Sequence, residues 1–218
     1  MIELKHRPET LKQKDDLVKE YVESLPSGSN FYDLGACVGT YSILAYSRGL
    51  NAYAFEVDKV NYHAASENFF FNFGYDERFK IFNTGVADRE REIELRIGQP
   101  EIGGHHKTLN LEDFCGHPAT KQHHIITTVI VDSLDNLIKK HNLPYPDYIK
   151  IDIDGSEYAF LEGAKESLKH TKSIIIELYE ESEYFQKILD ILEKNYIFKL
   201  IKKGNYLEPG LRDYWFEK

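Results

Sequence analysis

Three groups of residues have types and spacings that could do chemistry. Asp33-Leu-Gly35-Ala36-Cys37-Val38-Gly39 sets an acid and two glycines in a short turn, and a helical pattern opens at Thr40. Glycines in such a turn let a ligand approach the backbone, and the free N–H groups of a helix start face it. Glu56 follows about twenty residues later, where a carboxylate can accept both hydroxyls of a ribose. The third group is Lys150, Asp152, Asp154 and Glu157. A carboxylate there can take a proton from an acceptor or orient it; a divalent cation is the lesser alternative because no matching histidine is fixed nearby, so no metal is expected. Turn and capping chemistry is the alternative for Asp154-Gly155-Ser156, and Glu157 can simply favour a helix dipole.

The elements that must position these groups can be read from periodicity. Asn30-Phe31-Tyr32 lead into a strand ending at Asp33, and Tyr41, Leu44 and Ala45 share a face of the following helix. Asn51–Phe55 is a second strand, stopping at Glu56. Lys59–Phe73 is a helix with Val60, Ala64, Asn68 and Phe71 in register and Gly74 as its C-cap, and Phe79–Phe82 is a third strand. Strand and helix in this alternation imply a parallel sheet with right-handed crossovers. Arg91–Ile97 alternates, with Ile93, Leu95 and Ile97 on one side, and His124–Val131 is β-branched. The two are expected to pair as an antiparallel excursion. Between them, Gln99–Gln122 has no clear period and reads as a lid or loop.

Asp132-Ser133 caps a helix carrying Leu134, Leu137 and Ile138. Tyr148–Asp152 is the next central strand, where Lys150 and Asp152 point to the same side. Ser156 is placed to cap a helix with Phe160, Leu161, Ala164 and Leu168 in repeat. Ser173–Leu178 is an apolar strand, Ser182–Lys194 a helix, and Tyr196–Ile201 and Tyr214–Phe216 closing strands, antiparallel in part. Ahead of all this, Pro8–Leu25 reads as a packing helix with Leu11, Val18, Tyr21, Val22 and Leu25 on one face.

The bulk composition sets bounds. With 218 residues and 42% apolar composition, one domain spanning residues 1–218 is expected, with residues 1–26 as the packing helix and 91–131 as the insertion. Two cysteines, Cys37 and Cys115, point to a reducing compartment, and the charged start has no signal-peptide core. A cytoplasmic chain without a membrane span is therefore expected. A net charge of −9 argues against nucleic acid as the main partner. The run Phe69-Phe70-Phe71 with Phe73 reads as helix packing ahead of an interaction patch, but it exceeds one helix face, so part of it could line a homodimer contact. His105-His106, Cys115, His117 and His123-His124 match no zinc pattern and read as exposed or lid residues, with His106 an alternative base.

The turn itself discriminates between nucleotides. A dinucleotide fingerprint needs Gly-x-Gly-x-x-Gly, but position 37 is Cys and position 40 is Thr, and a P-loop lysine is absent. An acid before the turn suits a ligand with a positive amino group rather than phosphates. S-adenosylmethionine has that group and a ribose, and fits better than NAD or ATP.

Together these motifs resemble the FkbM-type S-adenosylmethionine-dependent methyltransferases. The resemblance rests on Asp33–Gly39, Ala54-Phe-Glu56, Gly85-Val-Ala-Asp88 with Ile93-Glu-Leu95, Val131-Asp-Ser-Leu-Asp135, Ile149–Glu157 and Ile175-Ile-Glu177. It runs from about Phe31 to Leu178. This chain departs from the family pattern at Cys37, where Asn is usual, and at Asp154, where Glu is usual. The resemblance implies a class I, Rossmann-like methyltransferase fold: a doubly wound, mostly parallel sheet with an antiparallel C-terminal strand and a small β insertion after the third strand. It implies that Asp33, Gly35, Ala36 and Gly39 hold the methionine end of S-adenosyl-L-methionine, Glu56 the ribose, and Val57 and Val86 the adenine. The expected reaction is O-methylation of a sugar or small metabolite, with Asp152 or Asp154 as base or orienter and Lys150 and Glu157 beside them. N- or carboxyl-methylation, or a module that binds the cofactor without turnover, are the competing readings.

Overall fold

A computed structural model describes residues 16–98, 101–104, 107–109 and 125–218. The chain runs α1 (Leu17–Ser24), β1 (Asn30–Leu34), α2 (Thr40–Ser47), β2 (Asn51–Phe55), α3 (Lys59–Phe73) and β3 (Phe79–Phe82). Then come β4 (Gly85–Ala87), β5 (Arg91–Ile97), β6 (Lys107–Leu109), β7 (Ile125–Ser133) and α4 (Leu134–His141). The last part holds β8 (Tyr148–Ile151), α5 (Glu157–Gly163), α6 (Lys165–His170), β9 (Ser173–Tyr179), α7 (Phe185–Asp190), β10 (Lys199–Glu208) and β11 (Leu211–Glu217).

Seven strands form the central sheet in the order β10-β11-β9-β8-β1-β2-β3. The pairs from β9 through β3 are parallel, and β11 inserts antiparallel between β9 and β10. The strands in the middle are apolar on both faces because helices cover both. One face packs Tyr32, Leu34, Ile149, Ile151, Ile174 and Ile176 beneath Phe160, Leu161 and Leu168. The other packs Phe31 and Ile175 against Leu17, Tyr21, Val22 and Leu44 of α1 and α2. Each of these fully buried side chains contributes roughly 1.5–3 kcal/mol relative to exposure.

The excursion after β3 is a second, four-stranded sheet in the order β4-β7-β5-β6. As expected, β5 pairs antiparallel with β7, Arg91 opposite Val131 and Ile97 opposite Ile125. Leu95, Ile97, Leu109 and Val131 form its own small core. The stretch read as a loop contributes β6, which pairs with β5; residues 99–100, 105–106 and 110–124 lie outside the described residues, and with them His105, His106, Cys115, His117, His123 and His124.

Several local expectations are corrected. α1 starts at Leu17, because the Asp16 carboxylate caps it by accepting from the Lys19 N–H at 3.0 Å; Pro8 and Leu11 lie outside the described residues. α3 buries Asn61, Ala64, Ala65, Asn68 and Phe69, leaving Val60, Phe70 and Phe71 exposed. Two asparagines take the inner face because they have partners there: Asn68 donates to the Val38 carbonyl at 2.9 Å, and Asn61 accepts from the Gly103 N–H at 2.8 Å. Phe69 does pack inward as read from the sequence, stacking on Phe79. Ser156 occupies the N-cap position of α5 without a side-chain capping bond. The predicted single helix breaks at Ala164 into α5 and α6. Ser182–Lys194 is likewise shorter, with α7 running into a π-helical turn at Ile191–Asn195. Among the described residues no helix is long and apolar enough to cross a membrane.

Candidate active site

The chain leaves β1 toward β2 on one side and leaves β8 toward β9 on the other, so β1 and β8 flank the point where strand order reverses. Ligands of open α/β sheets bind in the crevice at such a point, beyond the carboxyl ends of the strands. A cavity of about 570 Å³ lies there.

The two strand ends are locked together. Gly35 has φ +76°, and a Cβ on it would stand 1.7 Å from the Asp152 carbonyl oxygen, so only glycine fits. The Lys150 ammonium completes the lock: it donates to the Gly35 carbonyl at 3.0 Å and lies 3.1 Å from Asp33 Oδ1 and 3.2 Å from Asp152 Oδ2. Burial alone would lower the Lys150 pKa, but Asp152 and Asp33 together hold it well above the usual lysine range. Lys150 is therefore a fixed cation and not a base. Asp33 is fully buried, and its other oxygen accepts from the Ser42 hydroxyl at 2.6 Å. Asp33 thus faces Lys150 and α2 and does not line the cavity; Gly39, the αL N-cap of α2, lies behind the wall as well.

Gly35, Ala36, Cys37 and Val38 of the turn do line it, as do Glu56, Val57 and Val86. Glu56 Oε2 accepts from the Cys37 N–H at 2.7 Å and Oε1 from the Asp58 N–H at 2.8 Å. The carboxylate therefore ties the glycine turn to the loop after β2, and a carboxylate oxygen that accepts one N–H keeps a lone pair for a hydroxyl. Burial pushes Glu56 up to about 7, against the two N–H groups and Lys107, which pull it down. Cys37 has φ +50°, a left-handed backbone that asparagine adopts more readily than most residues.

Lys107 comes from the insertion and was not singled out in the sequence. Its ammonium pairs with the Asp58 carboxylate while its own N–H donates to Asp154 Oδ2 at 3.1 Å. With Gly104 and Leu109 it forms one wall of the cavity. Asp154, at φ +46°, is held in the left-handed region, which aspartate tolerates better than longer side chains.

Asp152 and Asp154 line the far end, and Glu177 joins them: one oxygen from each of the three lies within 4.8 Å of the others. Glu157, expected in this group, turns away. It accepts from the Gly155 N–H at 3.1 Å, does not line the cavity, and is pushed up to about 7 by burial. Asp213 of β11 stands opposite Glu177 in register and also lines the cavity. Burial, then the charge of Asp152, pushes Asp213 up to about 7. Burial, followed by Asp152 and Asp213, holds Glu177 well above the usual carboxylate range. Tyr41 donates to Asp16 at 2.7 Å on the same side.

Glu177 could have been found as the acid that ends an apolar strand. Asp213 carried no comparable signal, since only the β9–β11 register brings it there.

This sheet order and crevice define a class I methyltransferase fold. Residues 33–200 match the family described as Methyltransferase FkbM domain, and the chain belongs to the FkbM methyltransferase family. It is similar to the hexuronic acid methyltransferase AglP of Haloferax volcanii, 21% identical over 173 residues, 78% of this chain and 64% of that one. Among solved structures it resembles a methyltransferase FkbM from Methylobacillus flagellatus KT, with TM-score 0.59 and 16% identity over 87% of this chain and 43% of that one. It also resembles the magnesium protoporphyrin IX methyltransferase ChlM of Synechocystis PCC 6803 with bound SAM, with TM-score 0.54 and 10% identity over 93% of this chain and 77% of that one. At these identities the structural likenesses speak for the fold. The chain spans less than two thirds of the length of AglP and of the Methylobacillus protein.

Proposed function

We propose that the protein transfers a methyl group from S-adenosylmethionine to a hydroxyl of a sugar or similar small metabolite. The observation that carries this reading is the position of Glu56. Its carboxylate lines the same cavity as the glycine turn and the acids after β8 and is already fixed by two backbone N–H groups. The donor set fits a ribose-bearing ligand without phosphate. Among the described residues the lysines lining the cavity are Lys107 and Lys150, and both are paired with carboxylates, so neither is left to neutralise a pyrophosphate. S-adenosylmethionine brings an activated methyl on a sulfonium centre.

The chain's own contribution is placement. Glu56 would take the ribose hydroxyls, Gly35–Val38 the methionine end, and Val57 and Val86 the faces of the adenine. In-line transfer rewards such positioning strongly. Asp152, with its side chain 39% exposed, is the group placed to receive the acceptor's proton; Asp154 would orient the acceptor. A positioned base contributes ~10²–10⁴-fold. Lys150 acts through Asp152 and does not touch the acceptor. The likeness to AglP supports a sugar acceptor, whereas the concentration of carboxylates at the far end disfavours an ionised carboxylate as the methylated group.

Calorimetric titration with S-adenosylhomocysteine tests the donor half. Binding by the native protein and its loss in Glu56→Ala is the expected result; equal heats in both would refute it. Incubation with S-adenosylmethionine and a panel of neutral sugars, read by mass, tests the acceptor half. A methylated sugar is expected, and binding without turnover on the whole panel would leave a non-catalytic module.

A further inference from the structure

We propose that Asp152, Asp154 and Glu177, with Asp213 beside them, form a site for a divalent cation of the magnesium or manganese class at the acceptor end of the cavity. The first observation is geometric. One oxygen from each of the three carboxylates lies within 4.8 Å of the other two. Ligands at about 2.1 Å around one octahedral ion stand roughly 3–4.2 Å apart, so small side-chain rotations bring the three onto a common centre.

The second observation is independent of that cluster. Asp213 is 8% exposed and lines this cavity, yet it makes no hydrogen bond or ion pair among the described residues. A carboxylate removed from water without a partner is costly, and a cation in the cavity is what would offset it. Glu177, directly opposite in the β9–β11 register, is half-buried and likewise makes no hydrogen bond or ion pair among the described residues. Lys150 draws Asp213 down only at longer range and does not meet the need: its ammonium is engaged by Asp33, Asp152 and the Gly35 carbonyl, and no ion pair joins it to Glu177 or Asp213.

The ligand type selects the ion. The ligands are carboxylate oxygens, with no imidazole or thiolate among the described residues of the cluster. That is the set hard cations prefer, and it argues against zinc or copper. Three carboxylates leave coordination positions open toward the cavity. This role rests on the methyltransferase reading: an acceptor hydroxyl bound at an open position would lose its proton more easily, and with the ion present the proton would pass to Asp213, beside the ligands, in place of Asp152, which then holds the ion. The cation would also cancel the negative charge that otherwise confronts the acceptor.

The test is Mn²⁺ binding to the full chain, followed by electron paramagnetic resonance without any cofactor. The expected result is one Mn²⁺ per chain, displaced by Mg²⁺, with affinity at least ~10-fold weaker in Glu177→Gln and in Asp213→Asn. Glu90→Gln, a surface change, should bind as the native protein does. Far-UV circular dichroism of each variant separates lost binding from lost folding. No bound Mn²⁺ at millimolar concentration, or unchanged affinity in both folded variants, would overturn the proposal. So would thermal stabilisation by glucosamine and not by any divalent ion, since that assigns the carboxylates to an ammonium acceptor. S-adenosylhomocysteine titration in chelator-treated buffer is read separately, so failure of the cation site and failure of the donor site are distinguishable.

Discussion

Replacing Lys150 by methionine keeps the length and apolar stem of the side chain and removes only its charge and its donors. In the folded protein that ammonium serves the Gly35 carbonyl at 3.0 Å, Asp33 at 3.1 Å and Asp152 at 3.2 Å. Asp152 is partly exposed and can be rehydrated. Asp33 is fully buried and keeps only the Ser42 hydroxyl. Breaking a buried pair by removing one partner costs about 3–5 kcal/mol, and the orphaned Gly35 carbonyl adds about 1 kcal/mol. Asp33→Asn should cost less, because Lys150 then still has Asp152 and the carbonyl. The double variant Asp33→Asn/Lys150→Met should recover much of the loss, since no buried charge is left without a partner. Urea unfolding by linear extrapolation measures all three variants, and the free energies form a cycle. The expected ranking is Lys150→Met least stable, the double variant intermediate, and Asp33→Asn nearest to native. If Lys150→Met loses less than about 1 kcal/mol, or the double variant is no better than Lys150→Met, the lock between β1 and β8 is not electrostatic and the reasoning fails.

Three other outcomes follow from the same geometry. Glu56 is pushed up to about 7, so it is mostly protonated at pH 6 and mostly ionised at pH 8. If the ionised form is what accepts the ribose hydroxyls, S-adenosylhomocysteine affinity should rise about tenfold over that interval, and calorimetry showing a flat profile would contradict it. The linked effect on folding has the opposite sense. With a folded pKa of about 7 against an ordinary 4.5, folded Glu56 holds more proton than unfolded Glu56 between those values, so its contribution to stability falls as pH rises through that window. Lys107→Gln removes the cation that draws Glu56 down, and the midpoint of the binding profile should move to higher pH. Gly35→Ala adds a Cβ at φ +76° that meets the Asp152 carbonyl at 1.7 Å, whereas Gly28→Ala at φ +85° meets nothing within 4 Å. Both variants bear about 1–2 kcal/mol of left-handed strain. Only the first should also separate the strands and abolish cofactor binding, as thermal melts and titration together would show.

The strand–helix alternation was legible because each buried strand is a short apolar run with an acid near its carboxyl end. Asp33 and Glu177 stand in the last residues of β1 and β9, and Glu56 and Asp152 directly follow β2 and β8. Faces were harder. On α3 the expected stripe holds at Ala64 and Asn68 but not at Val60 and Phe71, and the buried face adds Asn61, whose amide oxygen has a partner in Gly103 that no periodicity can display. Capping differed from expectation because serine suits a helix start by type alone, whereas Ser156, at φ −95° and ψ 8°, makes no capping bond. Asp213 and Lys107 needed tertiary information outright. One arrives through strand register from the far end of the chain, the other through an insertion whose return path the sequence left without a period.

The glycine at 35 and the lysine at 150 answer one demand. The Asp152 carbonyl fills the space where a Cβ of residue 35 would be, and the Gly35 carbonyl receives the Lys150 ammonium, so each strand end supplies the other's contact. Asp152 then leads, one residue past the β8–β9 register, to Glu177, and Glu177 to Asp213 across β11. On the proposed reading the donor turn and the acceptor carboxylates would thus be successive positions on a single edge of the sheet, not two loops brought together on binding. Methyl transfer requires the methyl carbon and the accepting atom to meet in line, and a displacement of about 1 Å can cost 10²-fold. Fixing both sides to the same backbone contact sets that alignment before either ligand arrives. It follows that substitutions at Gly35 or Lys150 should lower turnover and donor affinity together, whereas those at Glu177 or Asp213 should leave donor affinity intact.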